Sequence, residues 1–170
     1  MKMYEPFQFL TTEECDDLVN YSRVHSAHTG NSLLAGKVNN ARIVWYEEKH
    51  ARWQEWIDCF NKIEPVVDWI QSPQIATYHP GEERQWNVDT WPECRPTRRR
   101  FTLTCELQSA PGGKLDVENQ NFVLTKGQAV IFRPEDKHRA VAPIEGERIS
   151  LTIWAMSKNV DRFKKFQHHI

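Results

Sequence analysis

The sequence has little of what marks several common protein classes. Its longest apolar runs are a handful of residues, as in Ala129-Val130-Ile131-Phe132, far short of the roughly 20 that a membrane-spanning helix needs. With 7 glycines and 9 prolines it is too poor in both for a collagenous or disordered chain. The opening Met1-Lys2-Met3-Tyr4-Glu5-Pro6 lacks the apolar stretch of a secretory signal. Neither sign of charge dominates: 22 Lys and Arg stand against 23 Asp and Glu, a formal net charge of -1, which argues against dependence on a long nucleic-acid backbone. The four cysteines, Cys15, Cys59, Cys94 and Cys105, form no C-x-x-C pair, so a zinc ribbon or redox motif is not indicated. With no other mark of secretion they read as reduced thiols. A soluble, cytoplasmic globular domain is the expectation, and 170 residues suit one domain.

What is present divides near Pro73. Before it the signals are mostly helical. Thr11 with Glu14 three residues on offers a capping box, and Cys15, Leu18, Val19 and Ser22 then share a face, predicting a helix over about 12–23. Residues 25–40 are polar and read as a loop, and Arg42 to Tyr46 reads as a short strand. Trp53, Trp56, Ile57, Phe60 and Ile63 recur at helical spacing and predict a second helix over about 48–63. Pro65 ends it, with a further helical turn or two expected through Trp69. The 7 tryptophans are read mainly as packing residues.

After Pro73 the period changes to that of strands. Gln74 to His79 is followed by Pro80-Gly81, and Phe101, Leu103, Cys105 and Leu107 alternate with Thr102, Thr104, Glu106 and Gln108, the pattern of a half-buried strand. Short extended runs at 114–117, 122–124, 128–132, 138–142 and 147–155, each set off by a turn signal, predict an all-β barrel or sandwich. Val160, Phe163 and Phe166 suggest a short closing helix.

Histidine is the commonest metal ligand and general base, so the seven histidines narrow the search. His25, His28, His50, His168 and His169 sit in polar or terminal stretches and read as solvated surface. His79 and His138 fall on expected β elements. The run from Tyr78 to Asp89, with Gly81, Asn87 and Asp89, and the run His138…Arg148-Ile149-Ser150 carry a joint pattern. The first is similar to Y-x-x-G-x-x-x-x-x-H-x-D and the second to H-x(9)-R-x-S. Between and after them lie Arg99 to Thr104, Gly112-Gly113-Lys114-Leu115, Gly127 to Phe132 and Trp154. In order and spacing these resemble the Fe(II)/2-oxoglutarate-dependent dioxygenases of the prolyl-4-hydroxylase-like branch, closely over residues 74–156 and loosely before.

The resemblance implies a mainly β fold with flanking N-terminal helices. A double-stranded β-helix (jelly-roll) core would span 74–156, with an extension over 1–73 packed on it and a helix or tail over 157–170. It implies Fe(II), 2-oxoglutarate as cosubstrate, and O2. The metal positions are Asn87, Asp89 and His138, with Asp89 and His138 as the catalytic pair. In the family two imidazoles and a carboxylate hold iron and leave three positions open. Arg148 would hold the far carboxylate of 2-oxoglutarate through a charge-assisted pair, Ser150 would add a hydroxyl on the same face, and Tyr78 would donate to the cosubstrate. The sequence departs from the family at one position: Asn87 stands where the first histidine is expected, and a neutral amide oxygen is a poorer ligand than imidazole. His79, next to Tyr78, should face the other way and not substitute.

Blander readings stand beside these: Asp89 as a turn residue, His138 as a core histidine, and Trp86 as packing beneath the pocket or part of its lining. Two functions follow. One is a hydroxylase with an altered metal triad, acting on a protein side chain, a nucleobase or a small molecule, a choice that fold does not make. The other is a catalytically silent module of the same fold that binds a ligand or serves in an oligomer or larger assembly. A nucleic-acid role built on Arg95, Arg98, Arg99 and Arg100 stands behind both, since such a cluster reads equally as a solvated loop.

Overall fold

A computed structural model describes residues 1–25, 41–90 and 99–157, with the backbone of three short strands between residues 26 and 40. In chain order the elements are β1 (Phe7–Gln8), α1 (Thr12–Val24), β2 (His28–Thr29), β3 (Leu33–Leu34), β4 (Lys37–Val38), β5 (Arg42–Trp45), α2 (Trp53–Asn61), β6 (Trp69–Ile70) and β7 (Gln74–Tyr78). Then follow β8 (Arg84–Asn87), β9 (Arg99–Gln108), β10 (Lys114–Val117), β11 (Gln120–Phe122), β12 (Gln128–Phe132), β13 (His138–Val141) and β14 (Arg148–Met156). The closing helix expected around Val160 to Phe166 lies outside the described residues, as do Cys94, Arg95 and Arg98.

α1 begins where its cap dictates. Glu14 N donates to Thr11 Oγ1 at 3.1 Å and Thr11 N donates to Glu14 Oε1 at 3.0 Å, which satisfies two amides that the helix itself leaves without partners. α2 is shorter than its periodicity suggests. No side chain caps it at Arg52, and the preceding turn is closed by Arg52 N donating to His50 Nδ1 at 3.0 Å. Beyond Pro65 the expected helical turn is absent: Trp69–Ile70 is extended and pairs with Ala155–Met156. A free strand edge, supplied by a segment 85 residues away, decides that conformation. The polar stretch read as a loop contains β2, paired with β5, and the β3–β4 pair.

Two antiparallel sheets face each other among the described residues. The larger has the order β1-β12-β9-β14-β7-β5-β2, with β6 on β14, and the smaller has the order β11-β10-β13-β8. This is the jelly-roll plan. Residues opposite one another in an antiparallel pair point to the same side, so the registers assign the faces. Ile75, Leu151, Leu103, Cys105 and Ile131 point outward from the larger sheet and pack with Cys15, Leu18, Trp56 and Phe60 of the two helices in one buried cluster. Tyr78, Arg148, Ser150, Glu106, Thr104 and Thr102 point inward, toward the smaller sheet, whose Leu115, Val117 and Phe122 pack with Val130 and Phe132.

The alternation in β9 therefore has a different meaning from the one expected. Phe101 to Leu107 are all buried. The polar side, Thr102, Thr104 and Glu106, is enclosed between the sheets and not set toward water. Burying such groups is costly unless they are partnered, so this polar interior face needs partners from the strands around it.

Gly127 ties the helical layer to this sheet. Its N–H donates to Glu106 O at 2.8 Å, its carbonyl accepts from Phe9 N and Leu10 N, and its φ is +86°. A Cβ there would overlap the Leu10 carbonyl oxygen and the Gln8 side chain. Gly127→Ala should destabilise the fold by about 1–3 kcal/mol through strained backbone alone, seen as a lower urea midpoint at unchanged m value. An unchanged midpoint would show that the junction relaxes freely. No helix among the described residues is long and apolar enough to cross a membrane.

Candidate active site

His138 opens β13 directly opposite Asn87 at the end of β8. Its Nδ1 lies 2.9 Å from the Asp136 carbonyl, an acceptor-only group, so the Nδ1 proton is fixed there. The ring's other nitrogen, Nε2, faces Asp89 Oδ1 at 3.4 Å. β8 stops at Asn87, and Asp89, two residues on, occupies a bend where its N–H donates to Pro134 O at 2.7 Å. The carboxylate is turned inward all the same and is 2% exposed. Thr102 Oγ1 donates to Oδ2 at 2.9 Å, while Oδ1 accepts no hydrogen bond. Arg99 pins the bend from behind: Nη1 donates to the Asp89 carbonyl at 2.9 Å and the guanidinium lies 4.0 Å from the centre of the Trp154 ring.

Burial by itself would raise the Asp89 carboxyl. The adjacent His138 and the Arg84 guanidinium, with Nη2 3.9 Å from Oδ1, outweigh it and hold the group well below the usual carboxylate range. Asp89 is therefore an anion at neutral pH.

Asn87 is differently engaged. The amide orientation that satisfies both its ends turns the nitrogen to the carbonyls of Gln85 and His138, at 3.1 and 3.0 Å, and the oxygen to Arg84 Nη2 and Nε, at 2.8 and 3.2 Å. We assign that orientation, because the opposite one sets donor against donor and acceptor against acceptor. The register shift between His138 and Ala140 brings Arg84 alongside. His79 points outward, half-exposed, between Glu82 and Glu147, so it is no substitute for the absent imidazole.

The second pole of the interior lies along β14. Arg148 is 1% exposed, pairs in register with Tyr78, and has its Cζ 5.7 Å from the Tyr78 ring centre. Gly113 makes room for it: a Cβ there would lie 2.7 Å from Arg148 Cδ. Ser150 is buried two residues along the same face, opposite Glu106. Glu106 was not anticipated as a site residue. Its Oε1 and Oε2 accept from Arg148 Nε at 2.9 and 3.3 Å, and it is 2% exposed. Arg148 Nη1 is also buried and meets no acceptor. Burial pushes the Glu106 carboxyl up to about 7 despite the Arg148 charge and a contribution from Ser109. Burial also raises the Tyr78 hydroxyl, which keeps it a proton donor at neutral pH.

These groups can be tested against a metal. With Nδ1 held by the Asp136 carbonyl, Nε2 of His138 is the ring nitrogen turned to Asp89 Oδ1 at 3.4 Å. Two buried lone-pair donors facing each other suit a shared cation, either a proton or a metal ion. That pair fits. The third family position does not, because the Asn87 oxygen is held by Arg84, and among the described residues no group of three His, Cys, Asp or Glu side chains is assembled for a metal. Two arginines of the basic cluster have internal partners: Arg99 as above, and Arg100, which donates to Glu64 at 3.0 Å.

The family model described as the 2OG-Fe(II) oxygenase superfamily matches residues 73–156. No curated protein matches the sequence. Among solved structures, the viral collagen prolyl hydroxylase of Paramecium Bursaria Chlorella virus-1, in its 2OG complex, is similar over 92% of this chain and 97% of its own, with a TM-score of 0.72 at 21% identity. A Pseudomonas putida prolyl-4-hydroxylase is similar over 91% and 92%, with a TM-score of 0.69 at 16% identity. The prolyl hydroxylase of Trichoplax adhaerens, in complex with a hypoxia inducible factor peptide, covers 94% and 86%, with a TM-score of 0.65 at 17% identity. Sheet order, buried polar face and family model agree: residues 73–156 match the 2OG-Fe(II) oxygenase superfamily model and carry strands of both jelly-roll sheets.

Proposed function

We propose that this protein is a 2-oxoglutarate-dependent hydroxylase whose metal is held by two side chains, Asp89 and His138, with Asn87 outside the ligand set. The observation that carries this reading is the 3.4 Å approach of His138 Nε2 to an Asp89 oxygen that is buried and accepts no hydrogen bond. A bound Fe(II) together with 2-oxoglutarate and O2 supplies the oxidising power to hydroxylate an unactivated C–H bond, with release of succinate and CO2. The chain's own residues bind and orient. Arg148 and Ser150 receive the far end of the cosubstrate, Tyr78 donates a hydrogen bond to it, and Thr102 and the Asp136 carbonyl fix the two ligands. Supports of this kind tune metal affinity by about 10–100-fold. The named prolyl hydroxylases of similar fold make a peptidyl proline the first substrate to try.

A second reading, a silent binding module, draws on the same interior. Arg84 holds Asn87 and Glu106 holds Arg148, so charged groups of the protein, a guanidinium in one place and a carboxyl in the other, occupy two roles that a metal and a ligand carboxylate would otherwise take. Anaerobic Fe(II) titration with 2-oxoglutarate separates the two. The hydroxylase reading expects saturable Fe(II) binding by the wild type, lost in both Asp89→Ala and His138→Ala, and succinate release on admitting O2. Undiminished binding in either variant would move the metal elsewhere. Saturable 2-oxoglutarate binding without metal uptake or succinate would favour the module.

A further inference from the structure

Arg148 carries a hydrogen-bonding fork of five N–H donors. Its Nε edge is taken by Glu106, with both carboxylate oxygens within 3.3 Å, whereas Nη1 is buried and meets no acceptor. Nη1 is thus left with room for an acceptor. If that acceptor were a ligand carboxylate and Glu106 stayed ionised, two anions would share one cation in an interior where each is at most 2% exposed. Like charges so placed do not both remain ionised.

A further cation, Arg84 of β8, also acts on the Tyr78 hydroxyl, and it already faces Asp89 Oδ1 at 3.9 Å. Tyr78 of β7 is protonated, and β12 sends no ionisable side chain. The Ser109 hydroxyl stands at the end of β9, and Cys15 and Glu14 of α1 lie behind the strand. On the smaller sheet Lys114 and Arg139 are engaged by Asp116 at 3.5 and 2.8 Å, and His138 stands with Asp89.

We propose that Glu106 is a specificity-determining residue of this pocket: it holds one edge of Arg148, so that a dicarboxylate is admitted only together with a proton on Glu106. The proton comes from solvent and stays on the Glu106 carboxyl, which then donates its O–H toward the ligand carboxylate while Arg148 donates from Nη1. A group poised at about 7 makes this exchange fall in the physiological range. The sign follows directly. Below that value Glu106 is already protonated and binding draws no proton. Above it each bound dicarboxylate must take one up, so affinity falls as pH rises. A 2-oxo acid of the same length with no far carboxylate, 2-oxovalerate, carries no such linkage.

This rests on the reading that 2-oxoglutarate is the ligand of the pocket, and the test separates the two. The full chain with Mn(II) is titrated calorimetrically with 2-oxoglutarate and with 2-oxovalerate across pH ~6 to ~8, as wild type and as Glu106→Gln. Wild-type affinity for 2-oxoglutarate is expected to drop about 5-fold between pH ~7 and ~8, with heats that depend on buffer ionisation. Glu106→Gln, neutral and of the same shape, should show no such drop and bind about 10-fold more tightly at pH ~8. Any contribution of His138 enters both proteins alike and cancels. The same pH slope in both, or the same slope for 2-oxovalerate, overturns the role of Glu106 and leaves the pocket assignment standing. If neither protein binds 2-oxoglutarate at any pH, the pocket assignment falls and the role of Glu106 with it. Wild-type buffer dependence alone decides the matter should the variant not fold.

Discussion

Asn87→His is expected to bind Fe(II) at least ~10–100-fold more tightly than the wild type and to gain 2-oxoglutarate decarboxylation. That range is what a change around a metal ligand produces, and adding a ligand should do no less. Position 87 is well placed for the gain. It ends β8 directly opposite His138, so an imidazole there would rise from the neighbouring strand beside the Asp89–His138 pair. The substitution also removes the amide oxygen that accepts from Arg84 at 2.8 and 3.2 Å, freeing that guanidinium to turn toward Asp89, whose Oδ1 is 3.9 Å away. Arg84 is then a competitor for the same carboxylate, and Asn87→His combined with Arg84→Met should bind metal more tightly than Asn87→His alone. The measurement is anaerobic metal titration with succinate release under matched Fe(II) and O2. Equal affinity in wild type and variant would mean that Asn87 already ligates or that iron sits elsewhere.

Arg148→Ala is expected to cost about 3–5 kcal/mol of folding stability, the range found when one partner of a buried ion pair is removed. A domain of this kind has only about 5–15 kcal/mol in hand. The loss comes less from the missing contact than from what is left behind, a Glu106 carboxylate enclosed between two sheets. It should therefore be smaller at acid pH. Deprived of Arg148, Glu106 stays protonated to higher pH than its native value of about 7, and a neutral carboxyl is cheaper to bury. Replacing both charges, Arg148→Met with Glu106→Leu, should recover most of the stability while removing 2-oxoglutarate binding. Urea unfolding at pH ~6 and ~8 checks all three statements. A single variant as stable as the double one would show that water reaches Glu106 and that the pair is not sealed.

The parts of the fold legible in the sequence are those with local causes. α1 starts at Thr11 because its cap lies within four residues, and β9 shows an alternation that survives folding. What sequence periodicity misread depends on distant partners. Trp69–Ile70 is a strand because β14 offers an edge, and α2 begins late because nothing local caps it. The polar side of β9 looked solvent-facing, since an inward polar face and an outward one have the same spacing until a second sheet covers one of them.

The site shows the same division. Asn87, Asp89, His138, Tyr78, Arg148 and Ser150 could be picked out by motif order, and the departure at Asn87 was plain from the residues. Glu106 and Arg84 were missed because each acquires meaning only from a side chain 42 residues away in the first case and from a strand irregularity in the second. A signal for Glu106 did exist: one carboxylate on the face that already held Thr102 and Thr104.

The position of β14 has a consequence for how the molecule is made. It lies between β9 and β7 in the larger sheet and also carries β6, yet it is the last of the described strands. While the chain is being synthesised, β7 and β9 must wait with open edges until residues 148–156 have emerged, so the nascent protein exposes pairing surfaces until that strand is made. Closure then joins segments more than 40 residues apart, a topology that favours slow folding. Arg148 and Ser150 arrive with that same strand, so the ligand pocket and the finished sheet come into being in one step.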